Sequence, residues 1–286
     1  MITQEIINLY DAFTHGQIAR RDFLTKLAAL AGGMSAAMNL LPFLENDYNL
    51  SDKRTSAIAG IDSEYITYPG ASGEMRAYHA RPESDERYPA VIVIHENRGL
   101  NPHIEDVTRR AAGAGFWAIA PDALSPVGGT PEDSDLARTK IGELNPETTL
   151  QDFIAAVNFA SKHPSTTGKT GCVGFCWGGA MSNNLAVHCE NLNAAVAFYG
   201  SQPVASEVPK IKAAVMLHYA GLDERINAGI PAYEEALKAA GVDYILHMYE
   251  NVNHAFHNDT SPTRYNKEAA ELAWKRTIAF FNAHLL

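Results

Sequence analysis

The segment Gly174-Phe175-Cys176-Trp177-Gly178-Gly179 places a cysteine between glycines two residues before it and two after it. It follows an apolar run at 171–175 that reads as a strand, and it opens a helical stretch near 177–189. That is the pattern of a sharp strand-to-helix turn, in which the nucleophile is strained and small flanking residues let two backbones approach without clashing Cβ atoms. Cysteine stands where serine is commoner. A helix N-terminus offers unpaired amides and partial positive charge, which favour the thiolate. A cysteine serving only to fill a core would not need glycines at this spacing. Cys172, inside the strand, and Cys189, near the helix end, carry that structural reading instead. The three cysteines cannot all pair within the chain, and their spacing lacks the Cys-x-x-Cys pairs of common zinc sites, so no metal is expected.

A thiol nucleophile needs a base, and on this type of scaffold the chain order is nucleophile, acid, histidine. Asp223 follows an apolar stretch at 213–219, and His254 follows another at 244–249, each where a loop leaves a strand. His257, Glu224 and Asp243 are the nearest rivals, and the order and placement favour His254 and Asp223. An oxyanion needs two backbone donors, one after the nucleophile and one from a loop after an earlier strand, which selects Trp177 and Asn97. Glu96 sits directly after the buried run at 90–95, near the expected thiol, with Arg98 as its alternative ion-pair partner.

These residues require a scaffold that gathers strand ends. Strands are expected at 64–68 and 75–80 as an antiparallel hairpin, then at 90–95, 116–120, 171–175, 194–199, 213–219 and 244–249. Helices are expected at 101–115, across 132–162, at 177–189, at 231–240 and at 265–284. The run at 90–95, continuous and mostly β-branched, suits a strand buried on both faces. Alternation of strand and helix predicts an α/β fold, a doubly wound, mostly parallel sheet with helices on both faces, whose ligands bind at the carboxyl ends of the strands.

On these residues the chain resembles the dienelactone hydrolase family of the α/β-hydrolase superfamily over about 64–286. The carrying features are His95 to Leu100 with its Glu96, Ala120-Pro121-Asp122, Gly174 to Gly179, Asp223, and His254-Ala255-Phe256. The resemblance implies a Cys176, Asp223, His254 triad, no cofactor, and a small ester or lactone as substrate. It also implies that Glu96 interacts with the resting thiol and releases it when substrate binds. Family members hold a substrate carboxylate with arginines, one shortly after the histidine. Here position 258 is Asn, which leaves Arg264, Arg138 and Arg98 as candidates. A broad carboxylesterase would use the same residues, and a thiol redox or peroxide-sensing protein using Cys176 is the reading from another class.

The first 55 residues lie outside this resemblance and are set apart as a helical extension, with 56–286 as the catalytic domain. Arg20-Arg21 precedes a mildly apolar run at 27–44, similar to a twin-arginine export signal, but Glu5, Asp11 and Asp22 break the positive region. A pair of amphipathic helices packed on the body and a cytoplasmic location are favoured over export to the periplasm. Gly32, Gly33, Ser35 and Asn39 interrupt the run, which disfavours a membrane span. Over the 286 residues, 46% hydrophobic and 20% charged is an ordinary globular composition. The net charge of −10, from 23 basic and 33 acidic residues, offers no basic stripe for nucleic acid. Oligomeric state is not legible.

Overall fold

The computed structural model describes residues 2–48, 50 and 58–286. The domain boundary expected at 55/56 lies outside the described residues.

Eight strands form one sheet in the order β1-β2-β4-β3-β5-β6-β7-β8. The hairpin is β1 (Ile61–Gly70) and β2 (Gly73–Pro82), antiparallel in register from Ile61 opposite Pro82 to Gly70 opposite Gly73. β2 pairs antiparallel with β4 (Trp117–Pro121), and every later pairing is parallel: β3 (Tyr88–Ile94), β5 (Thr166–Phe175), β6 (Ala194–Phe198), β7 (Ala214–Ala220) and β8 (Tyr244–Tyr249). The predicted α/β architecture is the observed one. β3 lies between β4 and β5 and is buried along Pro89 to Ile94, as its unbroken apolar run requires. β5 begins earlier than the apolar pattern suggests. Its polar first turn, Thr166 to Lys169, reaches Tyr88 across a register shift.

Two apolar layers flank the sheet. One packs Ile92, Ile94, Trp117, Phe153, Leu185 and Leu217, and the other packs Val91, Val93, Phe175, Phe198, Phe256 and Phe281. Alternate residues of β3 thus feed opposite faces, which is the period-two geometry of a strand. The first helix of the body, Pro102–Gly113, starts where Asn101 caps the amides of His103 and Ile104 and Pro102 fills the first turn.

Among the described residues the N-terminal segment carries α1 (Gln4–Thr14), α2 (Arg20–Ala31) and α3 (Met34–Leu44). Gly32 and Gly33, both at positive φ, separate α2 from α3, whose axes bend by 109°. No single helix among the described residues is long and apolar enough to cross a membrane. The three helices share a small core of their own around Tyr10, Phe13, Phe23, Leu27 and Leu41. The paired arginines open α2, where Arg20 forms an ion pair with Asp135 of the body. In chain order α4 is Pro102–Gly113, α5 Ser134–Glu143, α6 Pro146–Lys162, α7 Trp177–His188, α8 Glu224–Asn227, α9 Ile230–Ala240 and α10 Lys267–Leu285.

Candidate active site

Cys176 joins β5 to α7 with φ 55° and ψ −112°, a conformation that L side chains rarely adopt. The glycines around it explain how the turn closes. A Cβ on Gly174 would lie 1.9 Å from the carbonyl oxygen of Gly178, and one on Gly178 would lie 2.4 Å from that of Ile94. Both contacts are with backbone and cannot be relieved by a rotamer change. The turn is fastened by the Cys176 amide donating to Phe198 O at 3.0 Å. The amides at the start of α7, Trp177 first, have no acceptor within the helix.

His254 and Asp223 come together as their positions predict. Asp223 caps α8, accepting from the Ile226 amide at 3.2 Å through Oδ1, and its Oδ2 is 2.5 Å from His254 Nδ1. That pair directs the other imidazole nitrogen, Nε2, toward the thiol, and Nε2 has no hydrogen-bond partner among the described residues. Both residues are buried. The acidity of the Asp223 carboxyl is set against burial by its bonded imidazole, which holds its pKa below the usual range. His254 is held well above the ordinary imidazole value: burial opposes the charge, and Asp223, Asp11 and Cys176 outweigh it.

A second imidazole, unforeseen in the sequence, completes the cluster. His15 immediately follows α1, and its Nε2 is 3.3 Å from Cys176 Sγ. Its ring meets that of His254 edge-on at 4.6 Å. Burial pushes the Cys176 thiol up, but the charges of His15 and then His254 reverse this and bring it down to about 6. The donor atoms of His15, Cys176 and His254 lie within 4.8 Å of one another. These donor types also occur in zinc sites; here they sit at a strand-to-helix turn. The Asp11 to His15 spacing on one helix face was readable in the sequence. What brings it within reach of a thiol 161 positions away was not.

Glu96 is buried in the loop after β3, where Oε2 accepts from Asn258 Nδ2 at 2.7 Å. The position where an arginine would follow the histidine is thus occupied by an amide that holds Glu96. The Asn258 Oδ1 accepts from the Thr260 amide at 3.0 Å. Asn97 and Trp177 both line the main cavity, and the Asn97 side chain donates to Thr14 O at 2.9 Å, tying this loop to the end of α1.

The candidate arginines have partners of another kind. Arg98 donates to Tyr10 Oη at 3.1 Å and to Ser134 Oγ at 2.8 Å. Arg264 lies 3.8 Å from Asp11 and donates to Asn46 at 3.3 Å. Arg138 stacks over the Phe13 ring at 4.7 Å while lining the cavity. Each therefore touches the N-terminal helices. The cavity, about 850 Å³, opens over Cys176 between α1, α5, α6 and α7, and Arg225 also borders it.

A family model described as the dienelactone hydrolase family matches residues 75–285. The chain belongs to the dienelactone hydrolase family. A Yersinia pestis protein assigned as a carboxymethylenebutenolidase is 33% identical over 241 residues, covering 79% of this chain and 90% of its own. The crystal structure of a protein assigned as a dienelactone hydrolase, from Klebsiella pneumoniae, superposes with a TM-score of 0.71 at 29% identity, covering 78% of this chain and 98% of its own. A dienelactone hydrolase-like phosphotriesterase from metagenomic libraries shares the fold, with a TM-score of 0.72 at 22% identity and coverage of 80% and 100%. A separate model, described as YqhI-like, matches residues 1–32. The dienelactone hydrolase match thus begins in β2 and leaves α1, which carries His15 at its end, to the other model.

Proposed function

We propose that the protein hydrolyses a small lactone or ester through a covalent thioester on Cys176. The observation that carries this reading is the pairing of a strained cysteine at a strand-to-helix turn with an imidazole fixed by a buried carboxylate at 2.5 Å. The thiolate attacks the carbonyl carbon, and the backbone amides of Asn97 and Trp177 are the donors for the oxyanion. Collapse expels the alkoxide or enolate, which takes a proton from His254. Neutral His254, oriented by Asp223, then removes a proton from water as that water attacks the thioester, and the thiolate leaves. The sum is ester plus water giving acid plus alcohol.

A thiolate is itself a good leaving group, so activated acyl compounds such as enol lactones suit it better than alkyl esters. Broad carboxylesterase activity would use the same atoms, and the volume of the cavity supports it. For a thiol-redox role a resolving thiol is needed. Burial pushes the Cys172 thiol up to about 12, which makes it a poor partner.

The test is hydrolysis of a dienelactone beside simple aryl esters, with wild type, Cys176→Ala and His254→Ala. Loss of turnover by about 100-fold or more in both variants is expected, the range for a positioned acid–base group. Undiminished turnover in both would refute the assignment. A dienelactone preference over aryl esters selects the specialist reading, and equal rates select the carboxylesterase.

A further inference from the structure

Cys176 lies between two aspartate–histidine pairs that come from opposite ends of the chain. Asp223 and His254 form one. The other is at the end of α1, where His15 Nδ1 is 2.8 Å from the Asp11 carbonyl oxygen and 3.3 Å from Asp11 Oδ2. With two acceptors at Nδ1, the proton of a neutral ring resides there. Nε2, at 3.3 Å from the sulfur, then either accepts from the thiol or, as imidazolium, donates to a thiolate.

From this juxtaposition we infer that His15 is a catalytic residue: its imidazolium donates from Nε2 to Cys176 Sγ and holds the sulfur as thiolate before substrate arrives. The inference rests on Cys176 being the nucleophile of the proposed function. The step conserves charge, since the thiol proton moves to the imidazole and a neutral pair becomes an ion pair. The same N–H stabilises the sulfur again when it is expelled from the thioester.

The surrounding charges favour the ionised pair. Asp11, behind His15, lies 3.9 Å from Arg225 of α8 and 3.8 Å from Arg264, and it remains a carboxylate well below the usual range. On the sulfur's other sides are His254 with Asp223 behind it and Tyr199 after β6, whose hydroxyl feels both Cys176 and Glu96. Arg138 of α5 borders the same cavity. Burial opposes a charged His15, but the sulfur and Asp11 outweigh it and raise the imidazole to about 9. The family resemblance gives the resting thiol to Glu96. Here the hydrogen-bond partner of Glu96 is Asn258, and the sulfur is met by a histidine from outside the family match.

The decisive experiment is the pH dependence of Cys176 alkylation by iodoacetamide in the full-length protein without substrate, with the modified cysteine identified by mass spectrometry. Wild type is expected to titrate near 6. His15→Gln should move the midpoint up by a unit or more, with reaction slowed about tenfold per unit on the acid limb. Asp11→Asn, which keeps the imidazole, should move it in the same direction by less. A histidine that merely covers the pocket would, when replaced, raise the rate at every pH and leave the midpoint in place, and that result overturns the inference. Where His15→Gln does not reproduce the wild-type circular dichroism, Asp11→Asn decides: a midpoint shifted upward supports the inference and an unmoved one refutes it. Ester and lactone turnover is measured on the same wild-type protein. Its absence would refute the proposed function while leaving the alkylation midpoint to decide on His15.

Discussion

At Cys176, burial and charge act in opposite directions, and charge prevails. Removing a thiolate from water raises a thiol's pKa, yet two imidazoles beside the sulfur bring this one to about 6. A group whose folded value lies below its free value is ionised above that folded value and protonated as the pH falls through it. The profile of kcat/KM should therefore show an acid limb near pH 6, set by Cys176 in the free enzyme. A limb near the ordinary thiol value would mean that neither imidazole is charged in the resting site. Cys176, His254 and Asp223 could be named from residue type and order alone because each follows a strand. His15 could not be, since its role depends on where α1 is docked.

At the scale of elements, the turn between β5 and α7 is the most constrained part of the site. Gly178 occupies the first turn of a helix, where alanine would ordinarily add about 1 kcal/mol of helix stability. Here its Cβ would lie 2.4 Å from Ile94 O and 2.5 Å from His95 O. Overpacking against backbone costs about 1–3 kcal/mol and outweighs the propensity gain. Gly178→Ala is therefore expected to lower the melting temperature and to reduce turnover by shifting the loop that carries Asn97. A variant as stable as wild type would show that the strand and helix can separate without cost. The strands themselves were legible because period-two and continuous apolar runs report burial. The start of β5 was not, because residues 166–169 carry no apolar run and their place in the strand comes from Thr166 pairing with Tyr88 across a register shift. Likewise the sequence suggests a pair of N-terminal helices, whereas the apolar run at 27–44 is divided at Gly32 and Gly33 between α2 and α3.

Across the whole molecule, the arginines considered for substrate also tie the N-terminal helices to the catalytic body. Arg98 reaches Tyr10, Arg264 reaches Asp11 and Asn46, and Gln4 donates to Asn253 at 2.5 Å, next to His254 in the chain. Arg264→Ala removes a buried cation from the partly buried Asp11 carboxylate, a change that costs about 1–3 kcal/mol when a polar group is left unsatisfied. The loss should be local. Hydrogen exchange is expected to accelerate in α1 while β3 and β5 stay protected, because Arg264 meets Asp11 and Tyr10 of α1 whereas β3 and β5 are held within the two apolar layers. Uniform acceleration throughout the sheet would instead make the helices part of one cooperative unit with it.

By itself the sequence determined the α/β sheet, the strand-to-helix turn at Cys176 and the chain order of the proposed nucleophile, acid and base, since periodicity, glycine placement and strand ends are local properties of a chain. Tertiary structure decided what those properties do not encode. It determined which arginines meet the N-terminal helices, that Asn258 rather than an arginine engages Glu96, and that α1 delivers an imidazole to the sulfur. These depend on distances between residues as far apart in sequence as His15 and Cys176. Such distances are set by how the N-terminal helices dock on the body through contacts such as Arg98 to Tyr10 and Asn97 to Thr14, and the spacing of residues along the chain carries no measure of them.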